Sequence, residues 1–370
     1  MKIEKVASEW KAVHWAEQIE AWRSGELVYP RLLQIDPVAA CNHNCGFCTY
    51  RYRKDTDMNA LFNESDMISY GDFVSVLSDS VDMGIKGVEF TGGGEPTLHP
   101  RFADMLELTA KKGLDIGLIT NGVGQSFVNE RDRLVYLLSH ARWVRFSVNG
   151  SNPNDYQIVH ESKSNDFWAV CDSILSLTSV PDRTVTVGIS FIVQRENYQG
   201  IRDMVHHAHQ LGADYLRVAP AVFGTGTVAD KLHDVSDYYD EGIRQSVESD
   251  LAWAKSESDV TIVDNFTGRL RAKDSPDVYE KDDFCYISCV MAVVGADMKL
   301  YTCCVFKYRP AGMIGSLKPR GLKHLWESVQ REGYYAGMDI SEMCVSCFMK
   351  PKNDFIAYVV DPEPLHINFI

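Results

Sequence analysis

Positive charge is scarce in this chain. Its 370 residues hold 37 Lys and Arg against 51 Asp and Glu, a formal charge of −14. So acidic a chain is a poor general binder of nucleic acid, because phosphate contacts need a positive field. A local basic groove stays compatible with that balance. Also missing is any apolar run near the roughly 20 residues that span a bilayer. The opening residues, Met1 to Trp10, contain no apolar signal core. Together these absences predict a soluble, cytoplasmic protein with no membrane partner. Internal repeats and low-complexity tracts are absent as well. Hydrophobic residues make up 45% of the chain, enough for one large catalytic domain and a smaller one.

What is present is cysteine, placed unevenly. Of ten, three lie within Cys41–Cys48, Cys171 stands alone, and six fall between Cys285 and Cys347. A secreted disulfide framework would bring a signal peptide. Without one, tight spacings point to metal or redox sites. Cys171 sits in the apolar, helix-like stretch Phe167–Leu177 and reads as a buried small hydrophobe.

Residues 10–27 have the spacing of an amphipathic helix. Six β-branched or apolar runs follow: Leu32–Val38, Gly87–Thr91, Asp115–Thr120, Trp143–Val148, Thr184–Val193 and Tyr215–Pro220. Between most of them lie helix-like segments, at Tyr70–Met83, Phe102–Lys112, Glu130–Ser139, Asp166–Leu177 and Ile201–Leu211. Such alternation implies an α/β fold with a parallel sheet and helical crossovers. Pattern alone leaves open a part-barrel or a flat doubly wound sheet. The chain divides into an N-terminal helix (1–30), the alternating region (31–220), a charged linker with a helix (221–284) and a Cys-rich end with its tail (285–370). The linker includes Gly224-Thr225-Gly226 and one apolar run, Val260–Val263. The tail is apolar at intervals, from Phe355 to Phe369, and should pack back on the body.

Cys41-Asn42-His43-Asn44-Cys45-Gly46-Phe47-Cys48 follows the first strand, on a loop at its C-terminal end. Three thiolates this close can cap three corners of one metal centre, and thiolates suit zinc or iron–sulfur clusters. Structural zinc closes its shell with four protein ligands. No fourth Cys is local, and His43 lies inside the loop. A cubane on three Cys leaves one iron open. A zinc loop borrowing a distant ligand is the competing reading.

The Cys-x3-Cys-x2-Cys pattern, with aromatic Phe47 before its last Cys, resembles the signature of the radical S-adenosylmethionine (SAM) superfamily. The resemblance implies a 4Fe-4S cluster on Cys41, Cys45 and Cys48, whose open iron binds SAM. It also implies reductive cleavage of SAM to a 5′-deoxyadenosyl radical that takes hydrogen from substrate. Further matches cover Leu32 to Pro220. Gly92-Gly93-Gly94-Glu95-Pro96 resembles the motif that holds the SAM amino group; glycine permits close backbone approach. Asn121 ends the third strand as in the family. Ser147 and Asn149 resemble the residues that bond the SAM ribose, although the family often has Asp at the latter. Gln194 and Arg217 match positions that contact adenine and the methionine carboxylate; a guanidinium fork suits a carboxylate. Cys41–Cys48, Glu95, Asn121, Ser147, Asn149 and Gln194 each fall at or just past the C-terminal end of a strand, and such ends form one mouth in a parallel barrel. The implied fold is a partial (β/α)6 TIM-like barrel.

The C-terminal cysteines run Cys285-x3-Cys289, Cys303-Cys304 and Cys344-x2-Cys347, with a hairpin-like stretch at Val293–Thr302 and a short helix pattern at Gly321–Ser328. This order resembles the SPASM and twitch auxiliary-cluster domains. Cys285, Cys303, Cys344 and Cys347 fit best as ligands of a second 4Fe-4S cluster, with Cys289 and Cys304 spare. Met298 stands where the family usually has Gly. No Cys follows Cys347, so the shorter twitch form, with one auxiliary cluster, matches better. A closed four-Cys zinc site is the rival.

The resemblance implies oxidation, or another redox-linked modification, of a small polar substrate; twitch-bearing dehydrogenases of aminocyclitol alcohols share this arrangement. A flavodoxin or ferredoxin would supply the electron. Alternatives are a radical isomerase, epimerase or bond-forming enzyme acting on a peptide or nucleotide-derived substrate, and a non-catalytic iron–sulfur or zinc scaffold. Only about 30 residues precede the first strand, little room for a leader-binding domain of about 50 or more. His99, Arg145, Tyr156, His160, Arg195 and Tyr308 are possible proton carriers.

Overall fold

The computed structural model describes residues 9–50, 60–163, 165–221, 238–267, 279–281, 283–344 and 347–361. Gly224-Thr225-Gly226 and the tail residues Ile367 and Phe369 lie outside the described residues. The six apolar runs form parallel strands: β1 (Leu32–Ile35), β2 (Gly87–Phe90), β3 (Asp115–Thr120), β4 (Trp143–Ser147), β5 (Thr186–Val193) and β6 (Tyr215–Pro220). Each pairs with the next in sequence.

Strand alternation divides the residues between two faces. Leu33, Ile35, Val88, Phe90, Leu118, Val144, Phe146, Val187, Ile189, Phe191, Leu216 and Val218 are buried, as one face must be under crossover helices. The other parity carries Gln34, Glu89, Arg145, Ser147, Ser190 and Arg217. Register aligns these polar residues across neighbouring strands: Gln34 beside Glu89, Ser147 beside Ser190, and Ser190 beside Arg217. The sheet thus has an apolar outer face and a polar inner one.

Two further parallel strands extend the six. Val260–Val263, read from sequence as part of a linker, belongs to β7 (Thr261–Asp264), which pairs along β6. The hairpin expected near Val293–Thr302 is β8 (Met291–Val294) with β9 (Lys299–Tyr301). Strand β8 also runs parallel to β1, Leu32 beside Met291. This pairing satisfies backbone groups that β1 would otherwise leave open as an edge. A last strand, β10 (Met313–Ser316), pairs antiparallel to β9, so one ten-stranded sheet runs β10-β9-β8-β1 and on through β7. The result is a mixed α/β fold with a parallel-strand sheet, consistent with a partial TIM barrel.

Local chemistry explains several helix starts. Ser69 Oγ accepts the Asp72 N–H to open Tyr70–Asp82, and Asp240 caps Glu241–Glu257. Asn152 and Pro153 begin a helix not foreseen from sequence, Pro153–His160; the Asn152 side chain accepts from Asn154 and Asp155 N–H. The amphipathic stretch near the N-terminus is two pieces, a 3-10 helix Glu9–His14 and an α-helix Ala16–Ser24, broken at Trp15. Met298 has φ 58°, left-handed backbone that favours Gly. Burial of its side chain in the main core offsets that strain. The helix Lys350–Val360 packs on the 3-10 helix Glu9–His14, with Trp10 and Phe355 rings 5.1 Å apart. No helix among the described residues is long and apolar enough to cross a membrane.

Candidate active site

The loop after β1 carries Cys41, Cys45 and Cys48, all half-buried thiols. Backbone bonds seat it: Ala39 N–H donates to Asp66 O, and Glu95 N–H to Ala40 O. The end of helix Pro153–His160 clamps its other side. Asn44 N–H donates to His160 O at 3.1 Å, and the Asn44 amide donates to Glu161 at 2.6 Å. His160 Nδ1 lies 3.3 Å from Cys45 Sγ. Phe47 meets the His160 ring edge-on at 6.2 Å. His43 turns to Asp166, with Nε2 3.2 Å from Oδ2. Among the described residues, the ligand-type trio with atoms within 4.8 Å of one another is His43, Cys45 and His160; Cys41 and Cys48 are not part of it.

The Gly92–Gly94 turn lies directly against this loop. A Cβ on Gly94 would stand 2.0 Å from Ala40 O, and one on Gly93 would stand 2.6 Å from the Phe62 ring. Gly93 N–H donates to Asp36 Oδ2 at 2.8 Å. Gly94→Ala should therefore push Ala39 and Ala40 and displace Cys41. We expect a loss of about 1–3 kcal/mol, the usual cost of forcing atoms into a packed site. The iron content of reconstituted protein, measured with its unfolding midpoint, checks this; unchanged loading would contradict it.

Glu95 is buried and braces two strand ends. Its Oε1 accepts from Thr97 N–H, Thr97 Oγ1 and Thr120 Oγ1, and its Oε2 from Asn121 N–H at 2.7 Å. Burial pushes its carboxyl upward, and these four donors oppose the push. Asn121 in turn donates to Asn42 Oδ1 at 2.7 Å, tying the third strand end to the cysteine loop.

Asn149 is 1% exposed. Its Oδ1 accepts Ile192 N–H, and its backbone N–H donates to His160 Nε2 at 3.1 Å. Asn149 is therefore two hydrogen bonds from Cys45. Its Nδ2 is buried with no partner, as is Nε2 of Gln194. Buried unpaired amides are costly unless a ligand completes them. These two donors suit the oxygen and nitrogen acceptors of a nucleoside, so the residues fit SAM. Ser147 and Arg217 are half-buried on the inner face, and Arg217 donates to Ser190 Oγ at 3.0 Å.

Sequence reasoning missed a buried ionic group beside this site. Lys307 Nζ lies 2.6 Å from Asp36 Oδ1, and Tyr308 OH donates to Asp36 Oδ2 at 2.8 Å. Burial alone would lower Lys307; Asp36 and Tyr50 reverse that and hold it above its ordinary value. Also missed was Glu89, which accepts from Gln34 Nε2 at 2.6 Å. Strand parity was the available signal for Gln34 and Glu89. Nothing local marks Asp36 and Lys307. Of the possible proton carriers, His99 is committed to Ile68 O and to Arg101 N–H. Arg195 lies at the surface against Tyr238.

Cys285, Cys303, Cys344 and Cys347 are electrostatic neighbours: Cys303 and Cys344 each feel Cys285, and Cys347 acts on Cys344 and Cys285. Burial, then its neighbours, push Cys344 up to about 12. Four crowded thiols resist ionising together unless a cation holds them, so this donor set suits a thiolate-bound metal cluster. Cys289 packs instead with Val28 and Val290. Cys304 feels Lys307 and Glu89 as well as Cys347, and it acts on Cys303.

Residues 35–208 match the radical SAM superfamily. A tungsten-containing aldehyde ferredoxin oxidoreductase cofactor-modifying protein of Pyrococcus furiosus is 25% identical over 192 residues, 51% of each chain. The PqqA peptide cyclase of Streptomyces rochei is 23% identical over 195 residues, 51% of this chain and 48% of that one. The matches thus span about half the length of these curated relatives. Among solved structures, Streptococcus suis SuiB bound to its precursor peptide SuiA aligns with a TM-score of 0.63 at 14% identity, over 92% of this chain and 77% of that one.

Proposed function

Because this chain carries a radical SAM domain over residues 35–208, whose family uses a 4Fe-4S cluster and SAM, we propose that it cleaves SAM reductively and abstracts hydrogen from a polar substrate held against the inner sheet face. The observation that carries this reading is the pair of buried, unpartnered amides, Asn149 and Gln194, with Asn149 joined to the three-thiol loop through His160. When bound and reduced, the cluster and SAM supply a 5′-deoxyadenosyl radical. Cys41, Cys45 and Cys48 hold three irons. Glu95 Oε2, with one protein donor, has room to accept from the SAM ammonium. Asn121, Ser147 and Asn149 orient the nucleoside, Gln194 its base, and Arg217 the carboxylate. Phe47, Gly93 and Gly94 shape the wall.

The net reaction is a redox-linked change such as dehydrogenation. An auxiliary cluster on Cys285, Cys303, Cys344 and Cys347 would take the substrate electron; the charge effects of Lys307 and Glu89 on Cys304, next to Cys303, support that reading. A flavodoxin or ferredoxin type of reductant supplies the first cluster. A small polar molecule suits the charged inner face. A second reading, modification of a peptide, draws support from PqqA peptide cyclase and from the fold shared with peptide-bound SuiB.

Anaerobic reconstitution tests the proposal. Two cubanes give about eight irons per chain, and reduction with SAM gives 5′-deoxyadenosine. Four irons or fewer with no SAM cleavage would defeat it. Arg145, whose charge acts on Tyr215 on the inner face, offers a sharper probe. Arg145→Met should keep 5′-deoxyadenosine formation while lowering substrate product about 10- to 100-fold, for a charged hydrogen bond of roughly 1.5–3 kcal/mol. The measured ratio of product to 5′-deoxyadenosine reports the uncoupling.

A further inference from the structure

His160 has no part in holding iron or SAM in the reading above, yet its ring is the best-anchored group beside the cysteine loop. It ends the helix Pro153–His160, where Glu161 turns the chain at φ 45°. The ring is 1% exposed. Tyr156 stacks on it at 4.1 Å between centroids, with the planes 26° apart, and His43 meets it at 5.2 Å.

Its tautomer follows from its neighbours. Asn149 N–H donates to Nε2 at 3.1 Å, so Nε2 presents a lone pair. A neutral imidazole carries its one proton on the other nitrogen. Nδ1–H is therefore directed at Cys45 Sγ, 3.3 Å away.

We propose that His160 is a positioning residue for the first cluster: its Nδ1–H donates to the Cys45 sulfur and raises the cluster's reduction potential. This rests on the radical SAM reading of Cys41, Cys45 and Cys48. Reduction adds negative charge to cluster and ligands, and hydrogen bonds to sulfur are among the determinants of potential. A donor favours the reduced form more than the oxidised form. The bond is also a mechanical link, because Asn149 positions the ring that positions the sulfur. A shift in Asn149 on binding a nucleoside thus reaches Cys45 through one imidazole.

The test uses the full-length, anaerobically reconstituted protein. The first cluster is identified as the reduced-state electron paramagnetic resonance signal that changes on adding SAM, and its midpoint is titrated. His160→Phe removes the donor and should lower the reduction equilibrium at least tenfold, ~59 mV for one electron. His160→Asn, whose side-chain N–H can replace Nδ1–H, should recover most of that shift. Equal midpoints in wild type and His160→Phe at full iron content would overturn the proposal, as would equal shifts in both variants. A measurement on wild type avoids dependence on variant folding. With 15N-histidine, pulsed resonance should detect weak nitrogen coupling to the reduced cluster, lost in His160→Phe if that variant loads; absence of coupling in wild type overturns the proposal. A signal indifferent to SAM would instead defeat the radical SAM reading and leave the hydrogen bond in place.

Discussion

Cys45→Ala is expected to abolish SAM cleavage while leaving the fold and the second cluster intact. Cys45 is half-buried on a loop whose seating comes from elsewhere, through Ala39, Ala40, Asn42 and Asn44. Removing one sulfur therefore strips a cluster corner without opening the core. Iron should fall from about eight to about four per chain, the content of one remaining cubane. Formation of 5′-deoxyadenosine should drop to background. Cys347→Ala should give a similar iron loss with SAM cleavage retained, because Cys347 belongs to the other group of thiols. Iron assay and chromatography of 5′-deoxyadenosine separate the two. If Cys45→Ala still cleaved SAM at the wild-type rate, the assignment of the loop would be wrong.

Lys307→Met is expected to destabilise the protein more than other single changes near the inner face. Lys307 is 1% exposed and its partner Asp36 is 0% exposed. Without Lys307, Asp36 would stay buried with, among the described residues, Tyr308 OH and Gly93 N–H as donors. Leaving one buried charge uncompensated costs about 3–5 kcal/mol. The loss should also weaken SAM binding, because Asp36 holds the Gly93 N–H. Asp36→Asn combined with Lys307→Met should regain part of the stability, since neither charge then remains. Unfolding midpoints for the four members of this cycle measure the coupling. Additive losses would show that the pair does not act as a unit.

Much of this architecture is legible in sequence because each parallel strand turns a buried apolar row toward the crossover helices. Leu32–Val38, Asp115–Thr120 and Tyr215–Pro220 each contain a strand for that reason. The cysteine loop, the glycine turn and Asn149 are legible because each sits just beyond such a run. Strand β7, and the place of β8 in the main sheet, are not. Their short apolar segments look local, and only pairing with β6 and β1 makes them part of the sheet. Asp36 and Lys307 meet across 271 positions, a separation on which no spacing rule acts. Glu95 illustrates a different limit. Its type and position mark it as a ligand group, whereas its four protein donors show that it also fastens β2 to β3. His160 could be picked out only as a possible proton carrier. Its bond to Cys45 depends on a helix started by Asn152 and Pro153, whose capping signal lies eight and seven residues upstream.

The central claim is that the polypeptide leaves one iron of the first cluster to SAM. Electron–nuclear double resonance on reduced protein, with SAM labelled at its amino nitrogen and carboxylate oxygens, tests it most directly. We predict coupling of both labels to one iron site, lost in Cys45→Ala. A cluster or zinc ion at Cys41, Cys45 and Cys48 with a fourth protein ligand, and no coupling to either label, would contradict the account.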